Sequence, residues 1–123
     1  MYAYDFAGTW LESAIIEAPA SVGPDARFGS AIALDAAGTI VVIGALWDPV
    51  GGLTRPGSAH VFTRDGRAWT QGRTVLLSPL LDDAWLGTSA SVDAAGRVAA
   101  IGADHATIMG VDGGGMVLLT SLP

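Results

Sequence analysis

The side chains most able to do chemistry are two histidines and the carboxylates near them. His60 lies in an apolar run, and His105 directly follows Asp104 in the stretch ADHAT. A neighbouring imidazole and carboxylate could serve as an acid–base pair or as metal ligands. Adjacent side chains of an extended chain point in opposite directions, so one shared site would require a bend. We expect Asp104 and His105 to lie in a loop, as candidate binding residues.

The other chemical motifs are weak. Asp82 and Asp83 form a carboxylate pair of the kind used in hydrolysis, but their place before a strand start favours a solvated loop. A Gly-x-Ser-x-Gly elbow is missing, and the glycine-rich stretch 110–115 lacks the Lys-Ser/Thr of a phosphate loop. The sequence therefore predicts no catalytic residue and no metal site.

Trp47 and Asp48 are a second pair of candidate binding residues. They lie in the stretch ALWDPVGG, just after an apolar run. A loop tryptophan beside a carboxylate suits a contact surface, because aromatic residues are enriched at such surfaces. Packing of Trp47 in the core is the alternative.

Composition limits the class of protein. The 123 residues suffice for one small domain, and 50% hydrophobic with 15% charged residues indicates a globular chain. A net charge of −6 with only 6 basic residues argues against nucleic acid as a partner. The absence of cysteine excludes disulfides and thiolate metal sites. We see no signal peptide, and no apolar run approaches the ~20 residues needed for membrane insertion.

One stretch of the chain occurs twice, 58 residues apart. RFGSAIALDAAGTIVVIGA at 27–45 returns as WLGTSASVDAAGRVAAIGA at 85–103. Each copy has two apolar runs joined by a tight turn, which predicts a hairpin. Trp10 and Trp69 each follow a glycine- or alanine-containing turn at a similar place before the repeat, so we expect both to pack between sheets.

The whole chain is predicted to be all-β, since no segment shows helical periodicity with caps. We expect nine strands. Two lie near 2–6 and 10–17, four lie between 30 and 77, and three lie near 88–92, 97–103 and 114–120. This amounts to about two four-stranded antiparallel units.

The order of these motifs resembles the FG-GAP repeat, a family known from the β-propeller head of integrin α subunits and from microbial surface proteins. Phe28-Gly29 and Gly44-Ala45 match the two ends of that repeat. The second copy matches with Leu in place of Phe, at Leu86-Gly87 and Gly102-Ala103. The resemblance covers nearly the whole chain and makes all eight residues structural.

This resemblance implies four-stranded propeller blades. Residues 1–27 would end one blade, 28–85 would form a complete repeat and 86–123 an incomplete one. It implies a non-catalytic module that binds protein or glycan in adhesion, outside the cell or on its surface. Two alternatives are a non-catalytic propeller portion of a larger hydrolase and a structural fragment with no ligand of its own.

The sequence lacks the calcium loop of that family. The hairpin turn DAAG supplies one carboxylate per copy, Asp35 or Asp93, whereas calcium takes roughly 6–8 oxygen ligands. We therefore expect turn residues at both positions and no cofactor.

Two blades cannot close a propeller, which needs about 4–8. Exposed edges and faces invite association. Either the chain is part of a longer propeller, or copies assemble into a ring, as a trimer with six blades or a tetramer with eight. In such a ring, the 9–17 strand of a neighbour could complete the terminal three-stranded unit.

Overall fold

The computed structural model describes residues 2–4, 10–12 and 14–123, the first two ranges by backbone alone. The described residues form nine strands and no helix, which confirms the all-β prediction. The strands are β1 (Tyr2–Tyr4), β2 (Trp10–Glu12), β3 (Phe28–Leu34), β4 (Ile40–Ala45), β5 (Ser58–Asp65), β6 (Ala68–Val75), β7 (Leu86–Val92), β8 (Val98–Ala103) and β9 (Met116–Ser121). A membrane-crossing helix is therefore not found in these ranges.

Within each sheet, strands that are consecutive in sequence are hydrogen-bonded neighbours, and each of these strand pairs is antiparallel. Strands β1 and β2 form a separate hairpin. Sheet I has the order β3-β4-β5-β6, and sheet II has the order β7-β8-β9. Short connections favour this up-and-down order, because two antiparallel strands can be joined by a tight turn.

The 58-residue repeat is a repeat of backbone conformation. Strands β7, β8 and β9 begin 58 residues after β3, β4 and β5. Both opening strands carry a bulge, between Phe28 and Ala31 in sheet I and between Leu86 and Ser89 in sheet II. A β-bulge bends a strand and increases its twist, so the two sheets share their curvature.

The loops repeat as well, including places where the sequence does not. Positive φ angles recur in pairs 58 residues apart: Asp25 and Asp83, Arg27 and Trp85, Gly29 and Gly87, Gly38 and Gly96, Gly51 and Met109, Gly52 and Gly110, Gly57 and Gly115. Arg27 and Trp85 have φ angles of 58° and 61°, although the residue types differ. The tertiary environment therefore fixes these loops in one geometry.

The turn DAAG of each hairpin is closed by its aspartate. Asp35 Oδ1 accepts hydrogen bonds from the N–H groups of Thr39 at 2.8 Å and Ile40 at 3.0 Å. Asp93 makes the equivalent bonds at 2.6 and 3.0 Å. Both residues therefore act in the turn, as predicted.

Sheets I and II pack face to face around the main core. Its buried members come from both sheets and from the loops beside them: Val42, Ala59, Val61, Val75, Leu77, Ala84, Leu86, Ala99, Ile101, Ala103 and Ala106. The backbones come very close where Gly44 meets Gly87, and a Cβ atom at Gly44 would come within 2.3 Å of the Gly87 carbonyl oxygen. The glycines of the two repeat ends therefore permit the contact between sheets.

The second face of sheet I carries a smaller cluster. Val41, Ile43 and Phe62 are buried there, and Trp69 packs against them together with Ile16. Trp69 therefore packs on the face of sheet I that is turned away from sheet II, and its predicted packing between two sheets stays a prediction. The side chain of Trp10, which begins β2, lies outside the described residues.

Candidate binding site

The loops that enter and leave the repeat strands meet at one end of both sheets. In the first copy, the Trp47 N–H donates to the Ala26 carbonyl at 3.0 Å. In the second copy, the His105 N–H donates to the Ala84 carbonyl at 3.2 Å. Trp47 and His105 are therefore equivalent positions in the repeat, held beside equivalent loops.

A stacked pair of side chains occurs at the same place in each copy. The guanidinium carbon of Arg27 lies 3.7 Å from the centroid of the Trp47 ring. In the second copy, the rings of Trp85 and His105 stack with centroids 3.5 Å apart and planes inclined by 17°. The repeat therefore presents one stacking position twice, filled by different residue types.

The two pairs touch and form one surface. Trp47 and Trp85 meet edge to face with centroids 5.6 Å apart, which is a favourable geometry for aromatic rings. The Arg55 guanidinium carbon lies 4.1 Å from the Trp47 ring centroid. We call this surface the aromatic rim; its members are Arg27, Trp47, Arg55, Trp85 and His105.

The rim carries positive charge without internal neutralisation of its arginines. In residues 14–123, neither Arg27 nor Arg55 has a carboxylate oxygen within ion-pair distance. Both guanidiniums are held by cation–π contact with Trp47 instead. The Trp47 Nε1–H is buried and has no hydrogen-bond acceptor in the described structure. Two guanidinium groups thus lie around one indole ring.

A cavity of about 300 Å³ opens beside these donors. It is lined by Pro24, Asp25, Arg27, Trp47, Pro49, Thr54 and Arg55. The cavity wall near Thr54 is fixed by Asp82, whose Oδ1 accepts from the Thr54 N–H at 2.8 Å and the Arg55 N–H at 3.2 Å. Asp82 therefore joins the loop of one copy to the loop of the other, instead of forming an acidic pair with Asp83.

The candidates Asp104 and His105 do come together. They lie in a turn, where His105 Nδ1 and Asp104 Oδ1 are 2.8 Å apart, and both side chains are exposed. The turn supplies the bend that an extended chain would lack. Among residues 14–123, no third His, Asp or Glu joins them to make a metal-binding group.

The candidates Trp47 and Asp48 are separated by the structure. Trp47 belongs to the aromatic rim, whereas Asp48 is only 4% exposed. Its carboxylate accepts from the Gly23 N–H at 3.0 Å and from the Ser58 hydroxyl at 2.7 Å. Asp48 therefore ties a loop to β5 from inside the protein.

The hydrogen bonds of Asp48 continue to His60. The Ser58 hydroxyl donates its proton to Asp48, so it accepts from His60 Nε2–H, 2.9 Å away. Burial lowers the pKa of His60, although the charge of Asp48 acts to raise it. His60 is 1% exposed and Ser58 is fully buried. We call these three residues the buried polar chain.

The buried polar chain lacks the order of a hydrolytic triad. The serine stands between the acid and the histidine, whereas a nucleophilic serine needs the histidine as its direct base and a position open to substrate. In sheet II the same positions hold Ala106, Met116 and Leu118. The repeated backbone therefore accommodates either these three apolar residues or the buried polar chain.

Sequence reasoning missed three members of the rim: Arg27, Arg55 and Trp85. Arg27 and Trp85 begin the two repeat copies, so their equivalence was visible. Their contacts were not, because the rim forms only when the two sheets pack together. Comparison with protein-family models and with curated proteins gives no match.

Proposed function

We propose that this chain is part of a non-catalytic binding module of the β-propeller type, related to FG-GAP repeat proteins. Two face-to-face sheets with one repeated backbone support the proposal, as does the glycine contact formed by the repeat ends. The adhesive setting outside the cell that the resemblance implies is part of this proposal.

We infer further that the aromatic rim binds an acidic segment of a partner protein. The observation that carries this proposal is the pair of guanidiniums at 3.7 and 4.1 Å from the Trp47 ring centroid, with no carboxylate partner in residues 14–123. Arginine favours carboxylates because its planar fork of donors matches their two oxygens. A ligand carboxylate would supply the ion-pair partner that neither guanidinium has among residues 14–123.

The rim is less suited to a neutral sugar. Sugar rings stack on open aromatic faces, whereas Arg27 and Arg55 lie over the Trp47 ring and His105 covers a face of Trp85.

The cavity volume limits how much ligand can enter. About 300 Å³ is at the small end of ligand pockets, so it accommodates a side chain of the partner and not a folded surface. We therefore expect one Glu or Asp side chain of the partner to enter the cavity. The partner residues on either side of it would contact the exposed surface around the cavity.

Titration with two carboxylate probes tests the proposal. The probes are a hexaglutamate peptide and a trigalacturonate oligosaccharide, and the readout is fluorescence of the rim tryptophans. We expect the peptide to bind, and Arg27→Gln or Arg55→Gln to weaken binding at least about tenfold, since each loses about 1.4 kcal/mol or more of a charged hydrogen bond.

Arg64→Gln is the matched control. Arg64 is exposed and also lies near a tryptophan, with its guanidinium carbon 5.9 Å from the Trp69 ring centroid, but it is not a rim residue. This variant should bind the peptide like the unchanged chain. Preference for the oligosaccharide would refute the protein ligand, and failure of both probes at millimolar concentration would refute the rim as a carboxylate site.

A further inference from the structure

Equivalent faces of the two sheets differ in exposure: the face is covered in sheet I and exposed in sheet II. Val117 and Leu119 of sheet II are 64% and 69% exposed. Their counterparts in sheet I are Ala59 and Val61, and both are 0% exposed because sheet II covers them. Sheet II therefore has an outer face that is built like a covered one and has no cover among the described residues.

The cover of sheet I shows what fits such a face. Strand β7 lies against it, with Gly87 on Gly44 and a parallel bridge between Leu86 and Gly57. The Ser30 hydroxyl also donates to the Gly87 carbonyl at 3.1 Å. The docking element is thus a bulged strand that opens with an apolar residue and a glycine.

A second element of this kind is present in the chain and has no cover over its glycine among the described residues. Strand β3 is the counterpart of β7, and a Cβ atom built on Gly29 would have no neighbour within 4 Å. Ile32 and Leu34 beside it are 62% and 45% exposed. They line a groove of about 410 Å³ together with Phe28 and Ile15. The molecule therefore carries both halves of the sheet-to-sheet interface. In the part of the chain that the structure describes, the β3 edge of the second half is open, whereas Ile16 packs on Val41 and Ile43 beside it.

We propose that copies of this chain associate head to tail through these two faces. The outer face of sheet II of one copy packs on β3 of the next, in the geometry that sheets I and II adopt within the chain. The repeat fixes the register: Gly102 lies against Gly29 of the partner subunit, as Gly44 lies against Gly87. This proposal does not depend on the carboxylate site at the rim.

Head-to-tail contact leaves one open face at each end of every assembly, so addition continues until a ring closes. Two sheets per copy give six in a trimer and eight in a tetramer, and both numbers fall within the roughly 4–8 sheets of closed propellers, whereas a dimer has only four, the lower limit of that range. We therefore expect one closed trimer or tetramer.

Ring closure requires one strand to leave its position in the hairpin or sheet. Strand β1 is the counterpart of β5 and β9 in the repeat, so β1 of one copy and β9 of its neighbour compete for one position. Strand β9 pairs with β8 over six residues, from Val98 to Ala103, whereas β1 pairs with β2 over the three described residues Tyr2–Tyr4. The longer pairing keeps β9 in place.

Sedimentation of the 123-residue chain at micromolar concentration tests the proposal. We expect a single trimer or tetramer. Leu119→Glu should raise the dissociation constant by roughly 100-fold or more, because it places an unpaired charge in the interface. The matched control is Val111→Glu, at a residue that is 60% exposed in a loop outside both faces, and it should leave the mass unchanged.

Mixing two variants tests the direction of the contact. Leu119→Glu spoils the sheet II face and Ile32→Glu spoils the β3 face, so each alone should be monomeric, with an unchanged circular dichroism spectrum. Each keeps the face that the other has lost, and the mixture should form a dimer and nothing larger. A monomeric or polydisperse unchanged chain, or a mixture that stays monomeric, overturns the proposal.

Discussion

Asp35 and Asp93 close the same turn in different surroundings. Asp35 is 8% exposed, and Gly96 of the other turn packs against its carboxylate, whereas Asp93 is exposed. Burial acts to raise the pKa of Asp35, but the hydrogen bonds from Ile40 and Thr39 outweigh it and hold the pKa below its ordinary value. The two copies of the DAAG turn therefore allow the effect of burial on the aspartate to be compared within one protein.

Asp35→Ala should lower the free energy of unfolding by about 1–2 kcal/mol, because it leaves buried donors unpaired. A depressed pKa means that the charged form stabilises the folded state. That stability is present above about pH 4 and is lost as the pH falls through the folded pKa. Urea unfolding at pH 7 and pH 3 should therefore show a smaller acid effect in the variant. Asp93→Ala is expected to cost less, and an equal loss would contradict the role of burial.

His60 predicts a second pH dependence, nearer neutrality. Burial lowers its pKa below the ordinary value of 6.5, so the unfolded state takes up the proton first. Stability is therefore complete above about pH 6.5 and falls as the pH falls below it. Replacing His60 with the leucine that sheet II carries at Leu118 should remove this dependence.

The measurement is urea unfolding of His60→Leu and of the unchanged chain at pH 7.5 and 5.5. Leu118→Val, at the sheet II counterpart of His60, is the control and should keep the pH dependence of the unchanged chain. If His60→Leu kept the full loss of stability between pH 7.5 and 5.5, the buried histidine would not be its source.

At the scale of elements, small residues set the distance between the sheets. Gly44 faces Gly87 across the contact, and Gly57 is equally close to the backbone of Leu86. These glycines recur in the sequence at the ends of the repeat, so their structural role was predictable. Their contact partners were not, because the 58-residue shift relates one copy to the other without showing how the copies pack.

Gly44→Ala should destabilise the protein by about 3 kcal/mol or more, since the new Cβ atom would come within 2.3 Å of a backbone oxygen that cannot rotate away. Gly72→Ala, in the exposed strand β6, is the control. Its Cβ atom would lie 3.2 Å from the Val61 oxygen, so we expect a loss under about 1 kcal/mol. Thermal unfolding of both variants makes the comparison, and similar losses would refute the packing role of Gly44.

The strands themselves were largely predictable from sequence. Runs such as Ile40 to Ala45 are apolar throughout and end at turn residues, and the structure places β4 on these residues. The starts of the opening strands were less visible. Strands β3 and β7 begin two residues before the predicted strands, at Phe28 and Leu86, because the bulge lets the strand continue past the glycine.

For the whole molecule, one core joins both sheets. Leu86 is fully buried between them, and the same cluster contains Val75 and Leu77 from the far end of sheet I. Neither sheet keeps its apolar face covered without the other. We therefore expect one cooperative unfolding transition.

Leu86→Ala should cost about 2–5 kcal/mol through the cavity that it leaves between the sheets. Tryptophan fluorescence and far-ultraviolet circular dichroism should still report a single midpoint. Leu76→Ala, at a side chain that is 38% exposed, should cost under about 1 kcal/mol. Two separate transitions in the unchanged chain would contradict the shared core.

The candidate site shows why function is harder to predict than fold. Trp47 and His105 were recognised as loop residues, but the rim also needs Arg55 from the loop of Trp47, and Arg27 and Trp85 from two other loops. Residues so far apart in sequence meet only through the packing of whole sheets. Asp48 shows the opposite case, since its polar type suggested the surface and its hydrogen bonds hold it inside.

The buried polar chain has a consequence for how the polypeptide finds its native pairing. Repeats with matching backbones can exchange partners during folding, and swapped strands are a typical failure of such proteins. If β9 replaced β5 beside β4, Met116 and Leu118 would take the places of Ser58 and His60. The buried carboxylate of Asp48 would then lack the hydroxyl that donates a hydrogen bond to it. The swapped pairing is therefore less stable than the native one, because it leaves a buried carboxylate without its partners. The residue differences between the two copies thus favour the native pairing of strands.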